Sequence, residues 1–187
     1  LSAPDAGKWL DDVTSRMQAV LHRSNFYNAA HALYSDLGTF GTGLMIEVAD
    51  WDGLHFFVVN AGEYAIDTNE MNVVDTFFRR INMTARQIIQ EFGEEKVPNI
   101  VKTAAKYKTG NASTTRFDVI QAVYPRKDRT YGKMTSSNMP FASVYWMLAG
   151  TDGQGAPHVL RESGFDEFPA FAPRWDVSGT DVYGRSP

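Results

Sequence analysis

Apolar positions change their spacing three times along the chain. Trp9, Leu10, Val13, Met17, Val20 and Leu21 recur at steps of three and four, the period of one helix face, with Asp5 and Gly7 ahead of them. Ser24 or Asn25 is a natural N-cap for a second helix, whose apolar face is Phe26, Ala29, Ala30, Leu33 and Leu37 with Tyr27 and Tyr34 alongside. Gly38 is expected to end it, because glycine tolerates the left-handed conformation of a helix end. Two helices joined by so tight a turn should pack against each other.

From Leu44 the period becomes that of strands. Segments 44–49 and 54–59 flank Asp50-Trp51-Asp52-Gly53, a good hairpin turn. Segments 63–67 and 72–78 continue a meander. Met83-Thr84-Ala85-Arg86-Gln87 opens a helix with Thr84 as cap, Ile88, Ile89 and Phe92 as its face, and Gly93 as its end. Another helix is predicted over 97–107, with Pro98 tolerated in its first turn. The polar run 110–115 is the expected boundary between regions 1–109 and 110–187. Beyond it, 116–124, 142–149 and 159–162 read as strands, 125–140 as a long polar loop basic at its start, and the proline-bearing tail as extended. The fold class is α+β.

Composition supports a packed domain: 43% of the 187 residues are hydrophobic, 21% charged and 13% aromatic. The aromatic share leans towards assembly, since aromatics are favoured in interfaces. No apolar run approaches the ~20 residues of a membrane helix. The chain starts at Leu1 rather than Met and stops at Tyr183-Gly-Arg-Ser-Pro187, and it reads as a piece of something longer.

The net charge of −4 hides segregation. Residues 1–95 carry 6 basic and 14 acidic side chains, 96–133 carry 9 and 2, and 134–187 carry 3 and 6. The basic set is Lys96, Lys102, Lys106, Lys108, Arg116, Arg126, Lys127, Arg129 and Lys133. Such a segment suits a polyanion, an acidic neighbour that can be another copy of the chain, or simply water.

Chemistry finds little footing. With no cysteine, disulfides, thiolate metal sites and cysteine nucleophiles are excluded, and the four histidines lack zinc-helix spacing. Gly38-Thr-Phe-Gly-Thr-Gly43 invites a phosphate-loop reading. That loop needs a preceding strand and a following Lys-Ser/Thr, whereas here a helix precedes and Leu44-Met45 follow. A close-packed turn between helix and sheet is the reading that remains. The acidic pairs Asp50/Asp52, Glu94/Glu95 and Asp166/Glu167 fall in turns and loops, a poor start for a two-metal nuclease. No catalytic residue, metal ligand or cofactor is assigned, and no enzyme is expected.

Several dispersed segments carry a resemblance. They are Ser24-Asn-Phe-Tyr27, Asp36-Leu-Gly-Thr-Phe-Gly-Thr-Gly43, Gly62-Glu-Tyr-Ala-Ile66 with Asn69, Val74-Asp-Thr-Phe-Phe-Arg79 and Met83-Thr-Ala-Arg-Gln87. Val123-Tyr-Pro-Arg126, Glu162-Ser-Gly-Phe165, Pro173-Arg-Trp175 and Tyr183-Gly-Arg-Ser-Pro187 follow in order. Together they resemble a middle portion of the head-to-tail connecting, or portal, proteins of short-tailed bacteriophages. The resemblance implies a structural ring subunit, usually of a dodecamer, at one capsid vertex of the virion, assembled in the host cytoplasm. Double-stranded DNA would pass through its channel, and its partners would be further copies of itself, capsid protein, terminase and tail adaptor proteins, with no membrane. On the family plan, 1 to about 80 would be wing, the helices near 83–107 would lie at the stem, and the β-rich part after 110 would be clip. Lys102, Lys106, Lys108, Arg116, Arg126, Lys127, Arg129 and Lys133 are then candidates for subunit, docking-partner or DNA-backbone contact. The alternative is a monomeric nucleic-acid-binding module built on 96–133.

Overall fold

Thr84 is where the chain passes from its longest strand into a helix, and local chemistry dictates the switch. The Thr84 hydroxyl accepts from the Gln87 amide, while the Gln87 side chain accepts from the Thr84 amide at 2.9 Å, a reciprocal capping box. In the computed structural model, which describes residues 3–51, 53–106, 115–130, 132–133, 135–147 and 157–187, two compact units form. One holds residues 1–61 and 169–187, the other 62–168. The fold is α+β, with N-terminal helices followed by a β-rich region.

In the first unit, α1 (Ala3–Arg23) and α2 (Phe26–Phe40) precede the hairpin β1 (Leu44–Asp50) and β2 (Gly53–Val59). Leu44 pairs with Val59 and Asp50 with Gly53, so the hairpin turns over 50–53 as expected. A two-residue strand from the tail, β8 (Ala170–Phe171), pairs with Met45 and Ile46 on the other side of β1. Ala29 and Leu33 of α2 pack on Met45 and Phe56, and the Phe26 ring meets Phe56 edge-on at 5.1 Å.

Three expectations change here. Gly38 does not end α2. The helix runs on to Phe40, and Gly41, at φ 75°, is the left-handed cap whose amide donates to the Leu37 carbonyl at 3.0 Å. Asn25 occupies the N-cap position without a capping side-chain bond; its carboxamide goes to Phe56 instead. Finally, α1 and α2 meet only around their junction, where His22 stacks on Tyr27 at 5.2 Å and Leu21 reaches the core. Of the rest of the apolar face of α1, Val13 is half-buried and the others are exposed, with Trp9 and Met17 each at 64%.

The second unit is a five-stranded antiparallel sheet in the order β3-β4-β5-β6-β7 with two helices on one face. Its strands are β3 (Tyr64–Thr68), β4 (Val74–Thr84), β5 (Arg116–Pro125), β6 (Phe141–Met147) and β7 (His158–Phe165). β4 is longer than predicted because Ile81 and Met83 continue its alternation and pack inwards. α3 (Ala85–Phe92) ends at Gly93 as expected, and α4 (Asn99–Lys106) follows Pro98. Ile88, Phe92, Val97 and Val101 bury themselves against Phe117, Val119, Met147 and Leu160, each such side chain contributing about 1.5–3 kcal/mol. Arg161 fastens the same end, pairing with Glu91 at 3.0 Å over the rings of Phe92 and Tyr145. At the other end of that face Phe168 caps Phe77 and Phe141.

Of the polar run 110–115, only Thr115 lies within the described residues. β4 and β5, on either side of it, are neighbours in one sheet. The tail is extended, as its prolines suggest, yet it belongs to the first unit.

Candidate functional site

Two places gather the residues singled out in the sequence, one in each unit. The first is the glycine turn. The tail folds back over it in a set of hydrogen bonds that join residues up to 142 positions apart. Trp175 N–H donates to the Gly41 carbonyl at 2.8 Å, Gly43 N–H to the Pro173 carbonyl at 3.2 Å, and Gly184 N–H to the buried Thr42 hydroxyl at 2.8 Å. Arg185 N–H closes the tail on itself at the Asp176 carbonyl, 2.8 Å away. Backbone approaches backbone so closely that a Cβ on Gly41 would strike Arg185 and Ser186, and one on Gly184 would strike Gly41. A Cβ on Gly43 would strike Leu33. The turn reading therefore holds, in a stronger form: the glycines make room for α2 on one side and the tail on the other. The segments 36–43, 173–175 and 183–187, scattered in sequence, are one constellation in space.

The second place is the basic set, and the sheet divides it. Arg116 opens β5 and Arg126 follows its last residue, so a strand of ten residues, roughly 30 Å, separates them. At the first end, Lys102 is half-buried and Lys106 exposed on α4, and Arg116 donates to the Asn82 carbonyl at 3.2 Å. Lys108 lies outside the described residues. Lys96 is exposed, and its carbonyl meets His158 Nε2 at 2.7 Å.

At the second end stand Arg126, Lys127, Arg129 and Lys133. Arg126 is committed to the fold. Its side chain is 15% exposed, its Nη1 pairs with Glu162 at 2.8 Å, and Nη2 donates to the Ser163 carbonyl at 3.4 Å. Lys127 and Lys133 are exposed. Arg129 Nε donates to the Asn138 carbonyl at 3.3 Å.

The loop carrying these cations is knitted by a residue that charge and motif gave no reason to notice. Asn138 accepts from Thr130 N–H at 2.8 Å and donates to the carbonyls of Thr130 at 2.6 Å and Lys133 at 2.7 Å. Its own N–H donates to the Thr135 carbonyl at 2.8 Å. The 3-10 turn Ser136–Asn138 then sits on β7, where a Cβ on Gly164 would collide with Ser136, Met139 and Phe141. The missing side chain at Gly164 is what lets the loop lie against the strand. The loop borders an open recess of about 420 Å³ lined by Arg129, Lys133, Thr135, Asn138, Met139 and Asp166.

Among the described residues, no three acidic or histidine side chains cluster as a metal site would require. No helix of the described residues is long and apolar enough to cross a membrane.

A chain with this pair of units matches the bacteriophage head to tail connecting protein family over residues 2–187, and it belongs to that family. It is 40% identical over 179 residues to the portal protein of Salmonella phage epsilon15, covering 95% of the chain and 31% of that relative. Against the probable portal protein of Bordetella phage BPP-1 the identity is 37% over 180 residues, covering 96% of the chain and 31% of the relative. The chain thus spans about a third of the length of these relatives.

Proposed function

We propose that the chain is part of a portal subunit: a structural component of a ring at one vertex of a phage capsid, through which double-stranded DNA is packaged and ejected. The observation that carries this is the family match over 2–187 together with portal names on relatives that are 37–40% identical. The subunit's partners are other copies of itself in a ring, twelve on the family pattern, then capsid protein, terminase and tail adaptor proteins. Its place is the virion, after assembly in the host cytoplasm. Its role is architectural, and the compact glycine constellation and the knitted basic loop suit a part that must hold shape.

Within that reading the basic residues serve contact at two separate places. Lys102, Lys106 and Arg116 belong to one, and Lys127, Arg129 and Lys133 to the other, for subunit, docking-partner or DNA-backbone contact. Their division across the sheet weakens the monomeric DNA-binding alternative, which needs one continuous basic face.

Light scattering and negative-stain imaging of the full-length subunit test the reading: a closed ring is expected, and a monomer that binds DNA with steep salt dependence would replace it with the alternative. Neutralising Lys102, Lys106, Lys127 and Lys133 together should impair ring assembly or packaging. If both are unaltered, the assigned contacts are wrong.

A further inference from the structure

α1 carries a second binding face that its own unit leaves open. Leu10, Val13, Met17 and Val20 stand at steps of three, four and three, with Trp9 beside Leu10. Trp9, Leu10, Met17 and Val20 are 64%, 56%, 64% and 45% exposed. Leu21, at the edge of the same arc, instead reaches the core beside Ala29 and Leu33. The helix is therefore held through its last turn and presents about 16 Å of apolar seam to the outside. A contiguous stripe of this size is an interaction surface rather than scattered exposure.

Spacing identifies the shape of the occupant. A three-four-three alternation is the seam that receives knobs from another helix lying nearly parallel or antiparallel to it. A strand would meet side chains every second residue and could not follow it. Two observations bear on the source. The chain spans 31% of the length of its portal relatives, so most of a subunit's length lies outside it. At the flank of the seam, Arg16 is already paired in its own helix with Asp12 at 2.9 Å. The flanking positions 9, 14, 16 and 21 hold no acidic residue for the Arg16 of a second copy to meet, and charge at such edges is what sets partner and orientation.

We propose that this face seats an amphipathic helix from the same subunit, contributed by chain outside these 187 residues. The inference rests on the portal reading, in which the subunit is longer than this chain. The Trp9–Val20 seam is then part of the subunit's own core.

Cysteine reactivity tests this, and these 187 residues contribute no background thiol. Met17→Cys, and Val20→Cys as a second variant, are made in the full-length subunit and labelled with a maleimide, the site being located by peptide mapping. Ser15→Cys, on the opposite side of α1, serves as the open control. The thiol at 17 or 20 should react roughly tenfold or more slowly than in the urea-unfolded subunit, at every protein concentration, while the thiol at 15 stays near the unfolded rate. Protection that appears only as concentration rises would make the occupant a second copy, and fast labelling at all concentrations would leave the seam unoccupied. Either result overturns the proposal. Light scattering on the same samples keeps the portal reading separate. A protected thiol in a subunit that never forms rings counts against the ring alone, and an open thiol within a ring counts against the helix alone.

Discussion

The carboxamide of Asn25 holds the backbone of Phe56 at both of its polar groups. Phe56 N–H donates to Asn25 Oδ1 at 2.8 Å, and Asn25 Nδ2 donates to the Phe56 carbonyl at 2.8 Å. β2 is an edge strand, since its sheet runs β2-β1-β8. Asn25 thus stands where the next strand would be and satisfies the edge as a peptide group would. The neighbouring Ser24 takes over the turn: its hydroxyl accepts from Phe26 N–H at 3.1 Å and donates to the Leu21 carbonyl at 2.7 Å.

Asn25→Ala should therefore act on the strand, not on the helix start. We expect a loss of about 1–3 kcal/mol, the cost of leaving part-buried polar groups unpaired, read as a lower urea midpoint with an unchanged slope. Asn25→Asp keeps the acceptor but sets an oxygen against the Phe56 carbonyl, and should be no better than alanine. Faster amide exchange at Phe56 marks the mechanism. A loss confined to the helicity of 26–40 would contradict it.

Three glycines of this constellation should respond to alanine with opposite signs. Gly38 lies inside α2 with no atom near its missing Cβ, so Gly38→Ala should stabilise by about 1 kcal/mol through helix propensity. Gly41 has φ 75° and the tail against it, so Gly41→Ala meets both strain and collision. Gly184→Ala meets collision alone, with Gly41 and Trp175. Both should cost several times the Gly38 gain and release the tail, since overpacking alone costs about 1–3 kcal/mol. Thermal melts give the signs. Limited proteolysis within 172–187 shows whether the tail has come away.

The same stretch shows how far the sequence could be read. Helix caps, hairpin turns and helix-ending glycines act within a few residues, so α3, Gly93 and the β1–β2 hairpin were legible in advance. Gly38 misled because glycine permits a helix end without requiring one, and only the tail's return makes Gly41 the position that must lack a side chain. A contact between Thr42 and Gly184 leaves no periodic trace. The basic set was legible as composition but not as geometry, for charge counted along the chain does not register that β5 carries Arg116 and Arg126 apart. Asn138 was invisible for another reason: its partners are backbone atoms, which every sequence has.

Asn138→Ala should loosen the loop without unfolding the sheet. Three side-chain bonds to Thr130 and Lys133 disappear, whereas the β4–β5–β6 core is not touched. Hydrogen exchange should rise roughly tenfold or more over 128–138 and stay unchanged in β5. Equal acceleration in both would show that the loop is no independent element.

Arg126 and Lys127 are neighbours in sequence, and neutralising them should have unlike effects. Arg126 is largely buried and bonded to Glu162 and Ser163, so Arg126→Gln leaves the Glu162 carboxylate without its partner and removes the tie between the loop's start and β7. Glu162 is itself about half exposed, so water screens much of the loss; about 1–2 kcal/mol is expected, together with faster exchange in the loop. Retention on a heparin column, a generic polyanion, should barely change, because this guanidinium does not face solvent. Lys127→Gln with Lys133→Gln is the converse. Both side chains are exposed, so stability should stay within about 0.5 kcal/mol while heparin elution moves to lower salt. If Arg126→Gln shifts elution as far as the lysine pair does, Arg126 is a contact residue and its place in the fold has been overestimated. If neither shifts it, the cations at this end of the sheet serve a protein partner or water rather than a polyanion.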